Sequence, residues 1–185
     1  VTRFFWVRHG PTHAKSMVGW SDLPADLSDV AALARLSDYL PDAPVVSSTL
    51  IRAAATADAI QGGRSRLPHD PDLREIHFGA WELQRFDDVK DQAHIRAYWE
   101  EPGSVAPPDG ESWDAVSARV NGAVDRLLVH PEVIVVAHFG VILTQVQRAL
   151  GISAYQAFAQ KIDNLSVTEV VFDGAWRTGA INRIL

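Results

Sequence analysis

Three short apolar runs, each opening onto polar residues and then onto a segment of helical period, constrain this chain more than any other feature. Phe4-Phe5-Trp6-Val7 ends at the turn signal Arg8-His9-Gly10-Pro11. Ala43-Pro44-Val45-Val46-Ser47-Ser48 leads into the alanine-rich stretch Thr49–Ile60, which Gly62-Gly63 closes. Val133-Ile134-Val135-Val136-Ala137 ends at His138, and Val141–Leu150 follows at helical spacing up to Gly151. Runs this short and continuously apolar read as buried strands. Strands alternating with helices imply an α/β fold, a three-layer sandwich whose mostly parallel central sheet is covered by helices on both faces.

The rest of the chain fits that frame. Ser28 is the expected N-cap of a helix carrying Val30, Leu33, Leu36 and Leu40, which Pro41 stops. Leu83–Trp99 has helical spacing with many acidic residues, and Glu101–Gly110 is a proline- and glycine-rich loop. A strong helix is expected from Ser112 to about His130, with Val116, Val120, Val124 and Leu127 on one face. Asp173-Gly174 between Ser166–Phe172 and Trp176–Ile184 signals a hairpin that adds antiparallel strands. No internal repeat or linker divides the 185 residues, so one domain spanning 1–185 is expected.

Composition narrows the function. With no cysteine, the chain has no disulfide, no thiolate metal site and no cysteine nucleophile. A net charge of -6 argues against a nucleic-acid partner, which usually demands a basic face. No apolar run approaches the roughly 18 residues of a membrane span. The first ten residues lack the pattern of a secretory leader, so a cytoplasmic protein without a membrane partner is expected. Walker A, G-x-G-x-x-G, H-E-x-x-H and G-x-S-x-G motifs are all absent.

What remains is a set of polar groups at strand ends: Arg8 and His9 after the first strand, Ser47, Ser48 and Arg52 after the second, and His138 after the third. In an open α/β sheet the carboxyl ends of parallel strands share one edge, where ligands bind. Singly, each residue reads equally well as a solvated charge or as a histidine bonded to a neighbouring carbonyl. Together, two arginines and two histidines suit a phosphoryl group. Arginine forks hold phosphate oxygens bidentately, and histidine is a competent nucleophile at phosphorus.

Several segments then resemble one family in order. Arg8-His9-Gly10-Pro11-Thr12 resembles the R-H-G-x-T motif of the histidine phosphatase superfamily, which includes the phosphoglycerate mutases. Gly19-Trp20-Ser21-Asp22, the segment Ser47–Ala57, Leu73–Glu82 and Val135–Ile142 resemble its later motifs. The resemblance implies a phosphoglycerate mutase-like fold and a metal-independent phosphatase for a small phosphomonoester. His9 would be the nucleophile that becomes phosphohistidine. Arg8, Arg52 and His138 would hold the phosphoryl oxygens, and Glu75 would protonate the leaving oxygen and then activate water. Neither a metal nor another cofactor is implied, because the arginines supply the positive charge.

Pro11, Lys15, Leu83 and Phe139 depart from the family pattern, at positions where it commonly carries glutamate, asparagine, glycine and glycine. His13 and His77 fall at variable positions and read as structural or rim residues. A lid-like insertion is expected around 84–112. Between Gln84 and Asp114 eight acids (Asp87, Asp88, Asp91, Glu100, Glu101, Asp109, Glu111 and Asp114) face only Arg85, Lys90 and Arg96 in opposition. These acids read equally well as a solvated face; facing the pocket, such a lid would repel a doubly anionic sugar acid, which favours a phosphatase over a cofactor-dependent phosphoglycerate mutase. A module that binds a phosphorylated ligand without turnover is a third reading. The sequence fixes neither the physiological substrate nor the oligomeric state.

Overall fold

The computed structural model describes all residues from Val1 to Leu185. Five strands form one sheet: β1 (Thr2–Arg8), β2 (Val45–Ser47), β3 (Glu132–Ala137), β4 (Val167–Phe172) and β5 (Trp176–Thr178), in the order β2-β3-β1-β4-β5. β1 and β2 each pair with β3 in parallel, and β4 runs antiparallel to both β1 and β5. The parallel half carries the strand ends singled out above, and the hairpin closes the other edge. Arg8 lies opposite Ala137 in the ladder, and Ser47 lies opposite Val136. That register brings the polar residues after all three strands to the same edge.

The uninterrupted apolar runs are explained by burial on both faces. Phe4, Trp6, Val133, Val135 and Ala137 point into the larger core cluster. Phe5, Val7, Ile134 and Val136 point into the smaller one. The smaller cluster is covered by α1 (Val30–Tyr39) and α2 (Ile51–Gln61). The larger is covered by α3 (Gln92–Glu100), α4 (Trp113–Arg126) and α5 (Phe139–Leu150), with the short α6 (Ala154–Ala157) beside them.

Local boundaries differ from the expected ones in three places. Asp29, not Ser28, caps α1, its carboxylate accepting from the Ala32 amide, while the Ser28 amide donates to Asp26. The helical spacing of Leu83–Trp99 yields only α3, capped by Asp91, after a 3-10 turn over Phe86–Asp88. Leu83 has a positive φ of 61°, which ends any helix there; its amide instead donates to the Met17 carbonyl. The family's usual glycine would adopt this conformation without strain. Third, α4 stops at Arg126 and tightens into a 3-10 turn before His130, although Ser112 caps it as expected. No helix is long and apolar enough to cross a membrane.

Candidate active site

His9 leaves the end of β1 buried, with its amide donating to the Ala137 carbonyl and its own carbonyl accepting from Asn164. Its Nδ1 lies 2.6 Å from the Gly10 carbonyl. A carbonyl only accepts, so Nδ1 carries the proton and Nε2 keeps its lone pair. Burial lowers the His9 pKa to about 3 against the opposing Gly10 hydrogen bond, and the Arg52 and Arg8 charges lower it further. The ring is therefore neutral at ordinary pH, as a nucleophile must be.

His138 follows β3, and its ring centroid lies 5.1 Å from that of His9. The Ser48 hydroxyl holds its Nε2 at 2.7 Å, while its buried Nδ1 has no partner. Buried polar atoms are rarely left unpaired, so this nitrogen keeps one unused hydrogen-bonding position. Burial, then His9 and the arginines, keep the ring well below its ordinary pKa.

Both arginines are fixed through main-chain carbonyls rather than carboxylates. Arg52, in the first turn of α2, is 1% exposed and donates to the carbonyls of Ser21 at 2.8 Å and Gly19 at 2.6 Å. Arg8 donates to the Ile162 carbonyl at 2.6 Å, and its guanidinium lies 5.4 Å from the Phe139 ring centroid. The departure at Phe139 thus gives Arg8 an aromatic face to rest on. Unpaired with acids, both guanidinium groups retain positive charge for an anion.

Glu75 is buried beside them. Its carboxylate accepts from the Ile76 amide at 3.0 Å and from the Gly140 amide, near the start of α5, at 3.1 Å. Burial raises its pKa, outweighing those two amides and the Arg52 and Arg8 charges. A carboxyl held closer to neutral pH by burial is suited to give up a proton. A Cβ at Gly140 would meet Glu75 Oε1 at 2.5 Å and Ile76 Cδ1 at 2.9 Å. Gly140→Ala is therefore expected to displace the Glu75 carboxyl even though alanine favours the helix. The expected result is a loss of about 10- to 100-fold in kcat/KM on alkyl phosphates, part of what general acid catalysis is typically worth. A melting curve alongside the kinetics separates this from unfolding.

The structure thus brings together all five residues implied by the resemblance. It also reveals supports to which sequence reasoning assigned no role. Ser48 positions His138. Glu82 accepts from the Gly19 and Trp20 amides and from the Ser21 hydroxyl, and so shapes the loop whose carbonyls hold Arg52. Its only signal was membership in the Trp81-Glu82 pair of a recognised segment. Trp20 donates through Nε1 to the Glu75 carbonyl, 2.8 Å away, and His77 packs on Trp20 with ring centroids 4.3 Å apart. His13 is exposed and paired with Asp26. Lys15 is exposed. Of the eight acids between 84 and 114, only Glu111 is withdrawn from solvent, where it pairs with Arg119 at 2.8 Å. No group of three or more His, Asp or Glu side chains is disposed to hold a metal ion.

Fold and site define a class: α/β proteins able to hold an oxyanion against an imidazole lone pair at the carboxyl edge of the sheet. A model of the histidine phosphatase superfamily (branch 1) matches residues 4–182, and the chain belongs to that family. It is 31% identical over 202 residues to the bifunctional protein Rv2228c of Mycobacterium tuberculosis, the match covering 98% of this chain and 54% of that protein. The chain thus spans about half the length of that relative. Its identity to the adenosylcobalamin/alpha-ribazole phosphatase of Salmonella typhimurium is 29% over 164 residues, covering 82% of this chain and 81% of that one. Among solved structures, YhfR of Bacillus stearothermophilus superposes with a TM-score of 0.89 at 27% identity, covering 100% of this chain and 98% of the other. Mycobacterial glucosyl-3-phosphoglycerate phosphatase Rv2419c superposes with a TM-score of 0.84 at 27% identity, covering both chains fully (100%).

Proposed function

We propose that the chain is a metal-independent phosphatase that hydrolyses a small phosphomonoester through a phosphohistidine on His9. The observation that carries this reading is the neutral His9, its Nδ1 proton tied to Gly10 and its Nε2 lone pair free, among Arg8, Arg52 and His138. Nε2 attacks phosphorus while the bond to the leaving oxygen breaks, and Glu75 gives that oxygen its proton. The resulting Glu75 carboxylate then takes a proton from water as the water attacks the phosphohistidine. The P–N bond breaks, inorganic phosphate leaves, and His9 regains its lone pair. Arg8 and Arg52 offset the charge of the phosphoryl oxygens throughout, and the uncharged His138 ring hydrogen-bonds to one of them through its free nitrogen, the stabilisation on which phosphoryl transfer depends.

Two relatives named as phosphatases support a small phosphorylated substrate. In this reading the chain is a single catalytic domain, with the segment 84–112 as a lid-like insertion, in a cytoplasmic protein. The test is an assay of p-nitrophenyl phosphate with chelator present, beside 3-phosphoglycerate with and without 2,3-bisphosphoglycerate. Chelator-resistant hydrolysis is expected. Isomerisation dependent on the bisphosphate would establish a mutase instead, and no turnover across a broad phosphate panel would establish a binding module.

A further inference from the structure

Arg119 stands in the middle of α4. In the structure all five of its guanidinium N–H groups are used. Nε donates to Glu111 Oε2 at 2.8 Å. One terminal nitrogen donates to the carbonyls of Asp72 and Arg74, at 2.8 and 2.7 Å. The other donates to the Glu75 carbonyl at 2.8 Å and to Glu111 Oε1 at 2.9 Å. Three carbonyls, one from the 3-10 turn Pro71–Leu73 and two from the irregular segment after it that presents Glu75, thus converge on one side chain. Irregular backbone has no ladder of its own to fix it, so its geometry is set by such outside partners. Glu111 also ties the far side of the same segment: its Oε1 accepts from the His77 amide, and its own amide donates to the His77 carbonyl.

We propose that the Arg119–Glu111 pair is a positioning device for the leaving-group acid, setting the backbone from Asp72 to His77 so that the Glu75 carboxyl faces the leaving oxygen. The proposal rests on Glu75 being that acid. A fork of five donors is what the arrangement needs: lysine, with three donors on one nitrogen, cannot span the carbonyls and both carboxylate oxygens together. Glu111 also stands near the end of the segment 84–112, so the geometry there is tied to that of the acid.

The role has a signature that loss of stability lacks. In kcat/KM, which covers the steps up to the phosphohistidine, a misplaced acid harms mainly substrates whose leaving oxygen needs a proton, whereas partial unfolding harms all substrates alike. We would measure kcat/KM for Arg119→Lys and Glu111→Gln on phosphomonoesters graded by leaving-group pKa, from p-nitrophenyl phosphate through phenyl phosphate to alkyl phosphates. Both variants are expected to lose about 10-fold or more on alkyl phosphates, within the range for general acid catalysis, and less than about threefold on p-nitrophenyl phosphate. Glu111→Gln keeps the side-chain shape and so provides a second reading if Arg119→Lys folds poorly. Equal losses along the series in both variants would overturn the proposal. Glu75→Gln, run in parallel, separates the two levels. If it too shows no leaving-group dependence, the assignment of Glu75 has failed. If it alone shows the dependence, only the positioning role has failed.

Discussion

Replacing His9 with alanine is expected to reduce kcat/KM for p-nitrophenyl phosphate by about 10⁴-fold or more, the scale seen when a covalent nucleophile is removed from a preorganised site. The size of the loss follows from the arrangement around the ring. In the proposed mechanism Arg8, Arg52 and His138 hold the anion but offer no second nucleophile, so water would have to attack a phosphoryl group that the site has not activated by covalent transfer. His138 is a poor substitute because Ser48 occupies its Nε2. The intermediate itself can be trapped. Rapid denaturation during turnover of a labelled substrate should leave acid-labile, base-stable label on the wild-type chain and none on His9→Ala. His138→Ala should still take up label, more slowly, because it loses an oxygen contact and not the nucleophile. Label that persists in His9→Ala, or a loss in that variant of less than about tenfold with the fold intact, would remove His9 from the role assigned to it.

How far the site could be read from the residues alone depends on how local each determinant is. Strand ends are local: an apolar run stops, a polar residue follows, and the parallel register carries it to a shared edge. Arg8, His9, Arg52 and His138 were legible for that reason. Glu75 was not, because it stands in an irregular segment with no periodicity, and only the resemblance of Leu73–Glu82 to a family motif singled it out. Arg119 and Glu82 act through main-chain groups distant in sequence, Arg119 on Asp72, Arg74 and Glu75, and Glu82 on Gly19 and Trp20. Backbone carbonyls and amides carry no side-chain identity, so no pattern of residue types advertises such a contact. The same physics accounts for the missed boundary after Leu83. Helical spacing from Leu83 to Trp99 is a real feature of the sequence, but the positive φ of Leu83 is set by its pairing with Met17, across the chain from it. The acidic character of residues 84–114 was legible and its placement was not: seven of the eight acids lie in solvent, and Glu111 is spent on Arg119.

Glu75→Gln should divide substrates by their leaving groups. On alkyl phosphates kcat/KM is expected to fall by about 10²–10⁴-fold, the usual worth of a general acid. On p-nitrophenyl phosphate, whose phenolate leaves unprotonated, the loss in kcat/KM should stay within about tenfold, well short of that range. The comparison belongs to kcat/KM because that ratio covers steps up to formation of the phosphohistidine. In the proposed mechanism the second half-reaction is shared by all substrates and needs Glu75 as a base, so kcat should fall for p-nitrophenyl phosphate as well. A burst of p-nitrophenol equal to the enzyme should therefore precede a slow steady state. The pH profile follows from the same carboxyl. Burial raises the Glu75 pKa above its ordinary value, and the first step needs the protonated form. For alkyl phosphates kcat/KM of the wild type should accordingly fall as pH rises through that raised pKa. His9, neutral down to about pH 3, imposes no loss of its own nucleophilic form in the same interval. In Glu75→Gln the alkaline limb due to this group should vanish, leaving the ionisation of the substrate. Equal losses in kcat/KM on alkyl and p-nitrophenyl phosphates, with the alkaline limb retained, would show that the proton comes from elsewhere.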